Sequence, residues 1–202
     1  MLAIIDYGVG NLFSLVSSLK AIGVDAVITS DSKVIETADR LILPGVGAFG
    51  DASKKLNNSG LTDTIKNAVK KGTPLMGICL GMQLLFEKSF EYGEHEGLGL
   101  LKGKVIGMEG TIPKELKIPH IGWNSLKFIK KSPIFKYINE GDCVYFVHSF
   151  YAVDCEDSLI ATTDYGKDIT AAAQKGNIYG CQFHPEKSGN VGLKILKAFS
   201  EV

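Results

Sequence analysis

Apolar residues fall along this chain in two rhythms, and the change between them divides it. In the first half, short unbroken apolar runs alternate with stretches of helical period. Leu2-Ala3-Ile4-Ile5 reads as a buried strand, followed by the glycine turn Asp6-Tyr7-Gly8-Val9-Gly10-Asn11 and an amphipathic helix over about 12–22. Ala26-Val27-Ile28 and Arg40-Leu41-Ile42-Leu43 are further strands, the second stopped by Pro44 and a glycine-rich loop over 45–50. A helix is predicted over 61–70, then an apolar run reaching Ile78 and a helix-compatible segment to Phe86. Such βαβ-like repetition builds a mainly parallel sheet with helices on both faces and ligands at the carboxyl ends of its strands.

After Gly97-Leu98-Gly99-Leu100-Leu101 the rhythm shortens. Runs over 104–107, 125–129, 143–147, 159–163 and 169–174 have the alternation of antiparallel strands. Ile178-Tyr179-Gly180-Cys181-Gln182-Phe183-His184 reads as a buried strand ending on a histidine, and a helix over 191–201 follows. With no low-complexity linker and no repeat, the expectation is one α/β domain over 1–202, a mixed sheet with an antiparallel portion in its second half.

Composition narrows the function classes. The 202 residues carry 22 basic and 22 acidic side chains, so nothing argues for a nucleic-acid surface or an anionic membrane as main partner. The opening residues lack a basic leader, and no stretch approaches the about 20 apolar residues of a membrane span, so a cytoplasmic protein is expected. Cys79, Cys143, Cys155 and Cys181 show no C-x-x-C spacing, which disfavours zinc and dithiol redox chemistry and fits reduced thiols.

The candidate chemistry begins at Gly77-Ile78-Cys79-Leu80-Gly81. A strand entering a helix through Gly-x-Cys-x-Gly has the form of a nucleophile elbow with sulfur in place of oxygen, and the helix start favours negative charge on that sulfur. A lone cysteine is more often a buried small hydrophobe. Here His184 and Glu186 supply the missing roles, a base for the thiol proton and a carboxylate that fixes the imidazole tautomer. The other three cysteines have no such context. Cys143 and Cys181 read as packing residues, and Cys155, between Asp154 and Glu156, as a surface residue.

Gly45-Val46-Gly47-Ala48-Phe49-Gly50 matches G-x-G-x-x-G, but Pro44 interrupts the join to the strand, and no acidic residue follows over 65–70 where a dinucleotide site wants one. The loop has a better use: the N–H groups of Val46 and Leu80 can form an oxyanion hole beside the nucleophile.

Gly-Ile-Cys-Leu-Gly-Met-Gln-Leu-Leu-Phe together with His-Pro-Glu-Lys-Ser resembles the class I (triad) glutamine amidotransferases, over the whole chain. Pro44-Gly45-Val46-Gly47, Pro119-His120-Ile121-Gly122-Trp123-Asn124 and Tyr145-Phe146-Val147-His148-Ser149 are similar to the glutaminase subunits of imidazole glycerol phosphate synthases within that family. The resemblance implies a flavodoxin-like fold, the triad Cys79, His184 and Glu186, and glutamine held by Gly47, Gln83, Glu91, Ser149 and Phe150. It also implies a (β/α)8-barrel cyclase subunit as partner in a heterodimer, receiving ammonia at a surface that includes Asn11, Trp123, Tyr145 and Lys187. No metal or organic cofactor is implied. Imidazole glycerol phosphate and aminoimidazole carboxamide ribotide would be the products.

Three readings stay open on residues alone. Glu91 can pair with a substrate ammonium or be a solvated helix-end carboxylate, His120 and His148 read as satisfied structural histidines, and His95 between Glu94 and Glu96 as a solvated loop residue. A γ-glutamyl hydrolase or cysteine peptidase on the same scaffold keeps the elbow but needs a groove for a longer chain. An inert regulatory subunit would have no need of Cys79, His184 and Glu186 together.

Overall fold

A computed structural model describes residues 1–202. The first half consists of β1 (Leu2–Ile5), α1 (Leu12–Ala21), β2 (Ala26–Thr29), α2 (Ser32–Thr37), β3 (Arg40–Leu43), α3 (Phe49–Asn58), α4 (Leu61–Lys70), β4 (Leu75–Ile78) and α5 (Leu80–Leu84). Short strands follow, β5 (Lys88–Ser89), β6 (His95–Glu96), β7 (Lys104–Gly107), β8 (His120–Ser125), β9 (Lys127–Phe128), β10 (Cys143–His148) and β11 (Phe150–Val153). The chain ends with β12 (Leu159–Asp164), β13 (Asp168–Lys175), β14 (Ile178–Cys181) and α6 (Gly189–Ser200).

The main sheet has eight strands in the order β2-β1-β3-β4-β14-β13-β12-β9. Its first five strands are mutually parallel and its last pairings antiparallel, as the change of rhythm predicts. The parallel part has the doubly wound order of flavodoxin-like sheets. The continuous apolar runs reflect burial on two faces. Ala3 and Ile5 point into one core layer with Ile35, Phe49, Leu56 and Ile65 of α2–α4, while Leu2 and Ile4 point into the other with Leu15 and Leu19 of α1 and Ile195 and Phe199 of α6.

Several expectations need correction. The strand predicted over 125–129 is two strands, because the chain changes sheets at fully buried Leu126: β8 pairs with β10 in a separate two-stranded ribbon, and β9 pairs with β12 in the main sheet. The glycine loop ends at Ala48, and Phe49 and Gly50 already belong to α3. The helices α2 and α3 were not predicted, since their buried faces are short and diluted by polar residues. The last strand stops at Cys181, three residues before the histidine. The cysteine readings also reverse: Cys155 is buried, with Sγ 3.7 Å from Thr170 Oγ1, and Cys143 is exposed. Alternation places Val144, Phe146 and His148 of β10 inward and leaves Cys143 outside.

Candidate active site

Cys79 stands between β4 and α5 with φ 54° and ψ −112°, backbone space that a residue with a side chain occupies only when its surroundings impose it. The surroundings here are steric. A methyl group at Gly81 would lie 1.8 Å from the Leu43 carbonyl oxygen, and one at Gly77 would lie 2.6 Å from the Gly81 carbonyl oxygen. The end of β3 and the start of α5 therefore approach as bare backbone, and the tight turn from β4 into α5 sets the backbone of Cys79. Its N–H donates to the Cys181 carbonyl at 2.7 Å, tying the elbow to β14. The helix beyond is only five residues, shorter than the segment to Phe86 that the sequence suggested.

His184 is held differently. Beyond β14 the Gln182 N–H donates to the Ala171 carbonyl (2.9 Å) and the His184 N–H to the Tyr145 carbonyl (3.0 Å), so the extended path is continued by pairing with β13 and then with β10. Ser188, itself buried, closes the arrangement: its hydroxyl donates to the His184 carbonyl (2.6 Å) and accepts from the Tyr145 N–H (2.9 Å). His184 Nδ1 lies 2.8 Å from Glu186 Oε1, with the two side chains 3% and 4% exposed. Burial disfavours the imidazolium, but hydrogen bonds and charge from Cys79 and Glu186 on either side of the ring outweigh it and raise the His184 pKa above its usual value.

A cavity of about 340 Å³ opens over Cys79 and His184. It brings together Val46, Gly47, Cys79, Leu80, Gln83, Glu91, Ser149, Phe150 and His184, the whole expected set for triad base and nucleophile, oxyanion hole and glutamine, and Lys187 reaches its edge. Glu186 lies behind the histidine, outside the cavity. Glu91 is not a solvated carboxylate. It is buried, and its Oε2 accepts from the Phe49 N–H at 2.6 Å, at the first turn of α3. Burial raises its pKa, opposed by that N–H and by the charge of His95. His95 likewise is no free loop residue, since it is half-buried on β6 with its ring where a side chain on Gly50 would go.

His120 and His148 are satisfied structural histidines, as read. His120 Nδ1 lies 3.1 Å from His148 Nε2, His120 Nε2 lies 2.8 Å from Asn124 Oδ1, and His148 Nδ1 donates to the Phe150 carbonyl at 2.8 Å. Burial lowers the pKa of both, that of His148 to about 3. His148 also lines the cavity, as do Tyr92, Pro119 and Val147, which the sequence reading gave no part in the site. Inward alternation along β10 could have indicated His148; no pattern marks Tyr92, which is 88% exposed.

The four residues assigned to a partner surface are spread around this site. Trp123 of β8, 55% exposed, faces half-buried Tyr145 of β10 edge-on at 5.9 Å. Lys187 is exposed beside the histidine turn. Asn11 is half-buried, caps α1 through its side chain, and lines a small crevice with His184 and Glu186.

A family model described as glutamine amidotransferase class-I matches residues 3–201. The chain is 56% identical over its full length to 98% of the imidazole glycerol phosphate synthase subunit HisH of Caldanaerobacter subterraneus subsp. tengcongensis. It is 51% identical, over 97% of itself and 94% of the relative, to the protein of the same name from Aquifex aeolicus. Among solved structures, a glutamine amidotransferase superposes with a TM-score of 0.77 at 19% identity (98% of this chain, 97% of that one). PurLQS of Thermotoga maritima superposes with a TM-score of 0.74 at 20% identity (99% and 97%). The distant structures share the fold, the near relatives share the sequence along its whole length, and on both grounds the chain belongs to the class-I glutamine amidotransferase family.

Proposed function

We propose that this chain, as one amidotransferase unit over 1–202, is the glutaminase subunit of an imidazole glycerol phosphate synthase. The observation that carries the reading is Cys79, held in left-handed backbone at an elbow, lining one cavity with a histidine whose Nδ1 is 2.8 Å from a buried carboxylate. The relatives of that name, 51% and 56% identical, supply the metabolic setting.

In this reading the Cys79 thiol proton passes to His184, and the thiolate attacks the side-chain carbonyl of L-glutamine. Negative charge developing on the carbonyl oxygen falls against the N–H groups of Val46 and Leu80. His184 returns the proton to departing ammonia, then takes one from water as the γ-glutamyl thioester is hydrolysed to glutamate. Glu186 stabilises the imidazolium at each stage. The buried carboxylate of Glu91 pairs with the substrate ammonium, while Gly47, Gln83, Ser149 and Phe150 surround the rest. A cavity of about 340 Å³ has room for a free amino acid such as glutamine.

Ammonia is handed to a cyclase subunit, a (β/α)8 barrel in a heterodimer, across the face bearing Asn11, Trp123, Tyr145 and Lys187, yielding imidazole glycerol phosphate and aminoimidazole carboxamide ribotide. The test is Cys79→Ser in complex with the cyclase: glutamine-dependent synthesis is lost and ammonium-dependent synthesis kept. Normal glutamine turnover by the variant refutes the role of Cys79, and failure of the wild-type complex to make these products refutes the metabolic assignment.

A further inference from the structure

Gln182 is fully buried, and its side chain lies between the glutamine-binding wall and the nucleophile. Its Oε1 accepts from Gln83 Nε2 at 3.1 Å, and its Nε2 lies 3.8 Å from Cys79 Sγ. The orientation of this amide follows from its neighbours. The Phe150 carbonyl is an acceptor only, so the group that Gln83 places 3.0 Å from it must be its NH₂. The same nitrogen faces Gln182, which must then present its oxygen, because the reverse would set two NH₂ groups against each other in a buried site. The NH₂ of Gln182 is left aimed at sulfur.

We infer that Gln182 is a further catalytic residue, whose side-chain N–H hydrogen-bonds the Cys79 sulfur and stabilises it as thiolate. The inference rests on Cys79 being the nucleophile, as proposed above. A neutral thiol is a weak acceptor, and 3.8 Å is a long contact. Once the thiol proton has moved to His184 the acceptor is an anion, and a charge-assisted bond is shorter and stronger. The N–H thus distinguishes the two protonation states, which a merely packed side chain does not. It serves twice. Thiolate is the attacking species in the first half-reaction and the leaving group when water splits the thioester, whereas in the acyl-enzyme the sulfur carries no charge to stabilise.

The test is Gln182→Met, similar in size with no donor. Alkylation of Cys79 by iodoacetamide, located by mass spectrometry, is followed at pH 7 and at pH 10 beside glutaminase kinetics. Alkylation at pH 7 falls roughly 10- to 100-fold, the weight of one hydrogen bond to a charged group, and the gap narrows at pH 10, where hydroxide competes for the thiol proton in both forms. The turnover number kcat falls by a similar factor. An unchanged alkylation profile with lost activity overturns the inference and leaves Gln182 a packing residue. If Gln182→Met does not fold, Gln182→Leu likewise offers no donor and no charge; alkylation at pH 7 is slowed there too, and wild-type reactivity overturns the inference. Should neither fold, the wild-type chain gives the reading: the Gln182 side-chain amide proton shifts in the NMR spectrum when Cys79 is alkylated, and a stationary resonance overturns the inference. Stoichiometric alkylation of Cys79 without loss of glutaminase activity would instead refute the nucleophile itself.

Discussion

The proposed nucleophile and the proposed base of this site are held in opposite ways. Cys79 is fixed by steric exclusion, between Gly77 and Gly81, where the end of β3 presses on the start of α5. His184 is fixed by hydrogen bonds, from its own backbone to Tyr145 and through Ser188, to a ribbon that is not part of the main sheet. Close packing has no soft direction, so the elbow is rigid and its substitutions act on folding. A hydrogen-bonded anchor is worth far less, so the base can be displaced without unfolding the chain. The same ribbon carries Trp123 and Tyr145, and contacts made there reach His184 through a backbone hydrogen bond rather than through the core.

The largest effect expected is on the base side and is chemical. Glu186→Gln should fold normally and lower kcat about 10⁴-fold with little change in KM, because a neutral amide neither stabilises the imidazolium nor holds its tautomer. Steady-state glutamate release with a thermal melt checks it, and full activity with an unaltered pH profile would reduce Glu186 to a neighbour. Next is the elbow. Gly81→Ala should destabilise the chain by about 3 kcal/mol, at the upper end for overpacking, since the added methyl falls 1.8 Å from the Leu43 oxygen, far inside contact distance. Urea unfolding measures this, and a stable, active variant would break the contrast.

Ser188→Ala should be milder. It leaves the Tyr145 N–H without its partner in a half-buried place, costs about 1 to 2 kcal/mol, and lowers kcat about tenfold while sparing KM. A change confined to KM would place Ser188 in substrate binding instead.

The smallest effect is a slope against pH. Burial holds His148 at about 3 and lowers His120, so below the ordinary histidine value of about 6.5 the unfolded chain binds protons that the folded chain refuses. Stability is therefore lost as pH falls from that value. His184, raised, acts in the opposite sense: its contribution is present below the ordinary value and is lost as pH rises through the raised one. His148→Gln should flatten the acid limb between pH 6 and 5 by about 1.4 kcal/mol per pH unit, read from urea unfolding at each pH. An unchanged slope would mean that His148 is protonated in the fold.

What could be read in the sequence divides along the same line as the two anchors. The elbow is local: Gly77, Cys79 and Gly81 are neighbours, and the steric need that selects them leaves its trace within five residues. The alternation of runs likewise gave β1–β4, α1, α4 and the change to antiparallel pairing, because burial on one or two faces imposes its period along a single segment. His184 and Glu186 were legible as residues, though not as a position, since the three residues beyond Cys181 are placed by β13 and β10 and not by their own pattern.

Other features had no local trace at all. The split at Leu126 depends on two different partners for one alternating run. The bond from Glu91 to Phe49 spans 42 residues, and the chain of amides from Phe150 through Gln83 to Gln182 and Cys79 joins three separate stretches. The sequence by itself determined the fold class and marked Cys79 and His184, the residues proposed as nucleophile and base, because these rest on short-range sterics and on periodicity. Which side chains converge on them was decided only by the tertiary structure, since a hydrogen bond between distant segments demands no pattern in either one, only two groups able to donate and accept when the fold brings them to within about 3 Å.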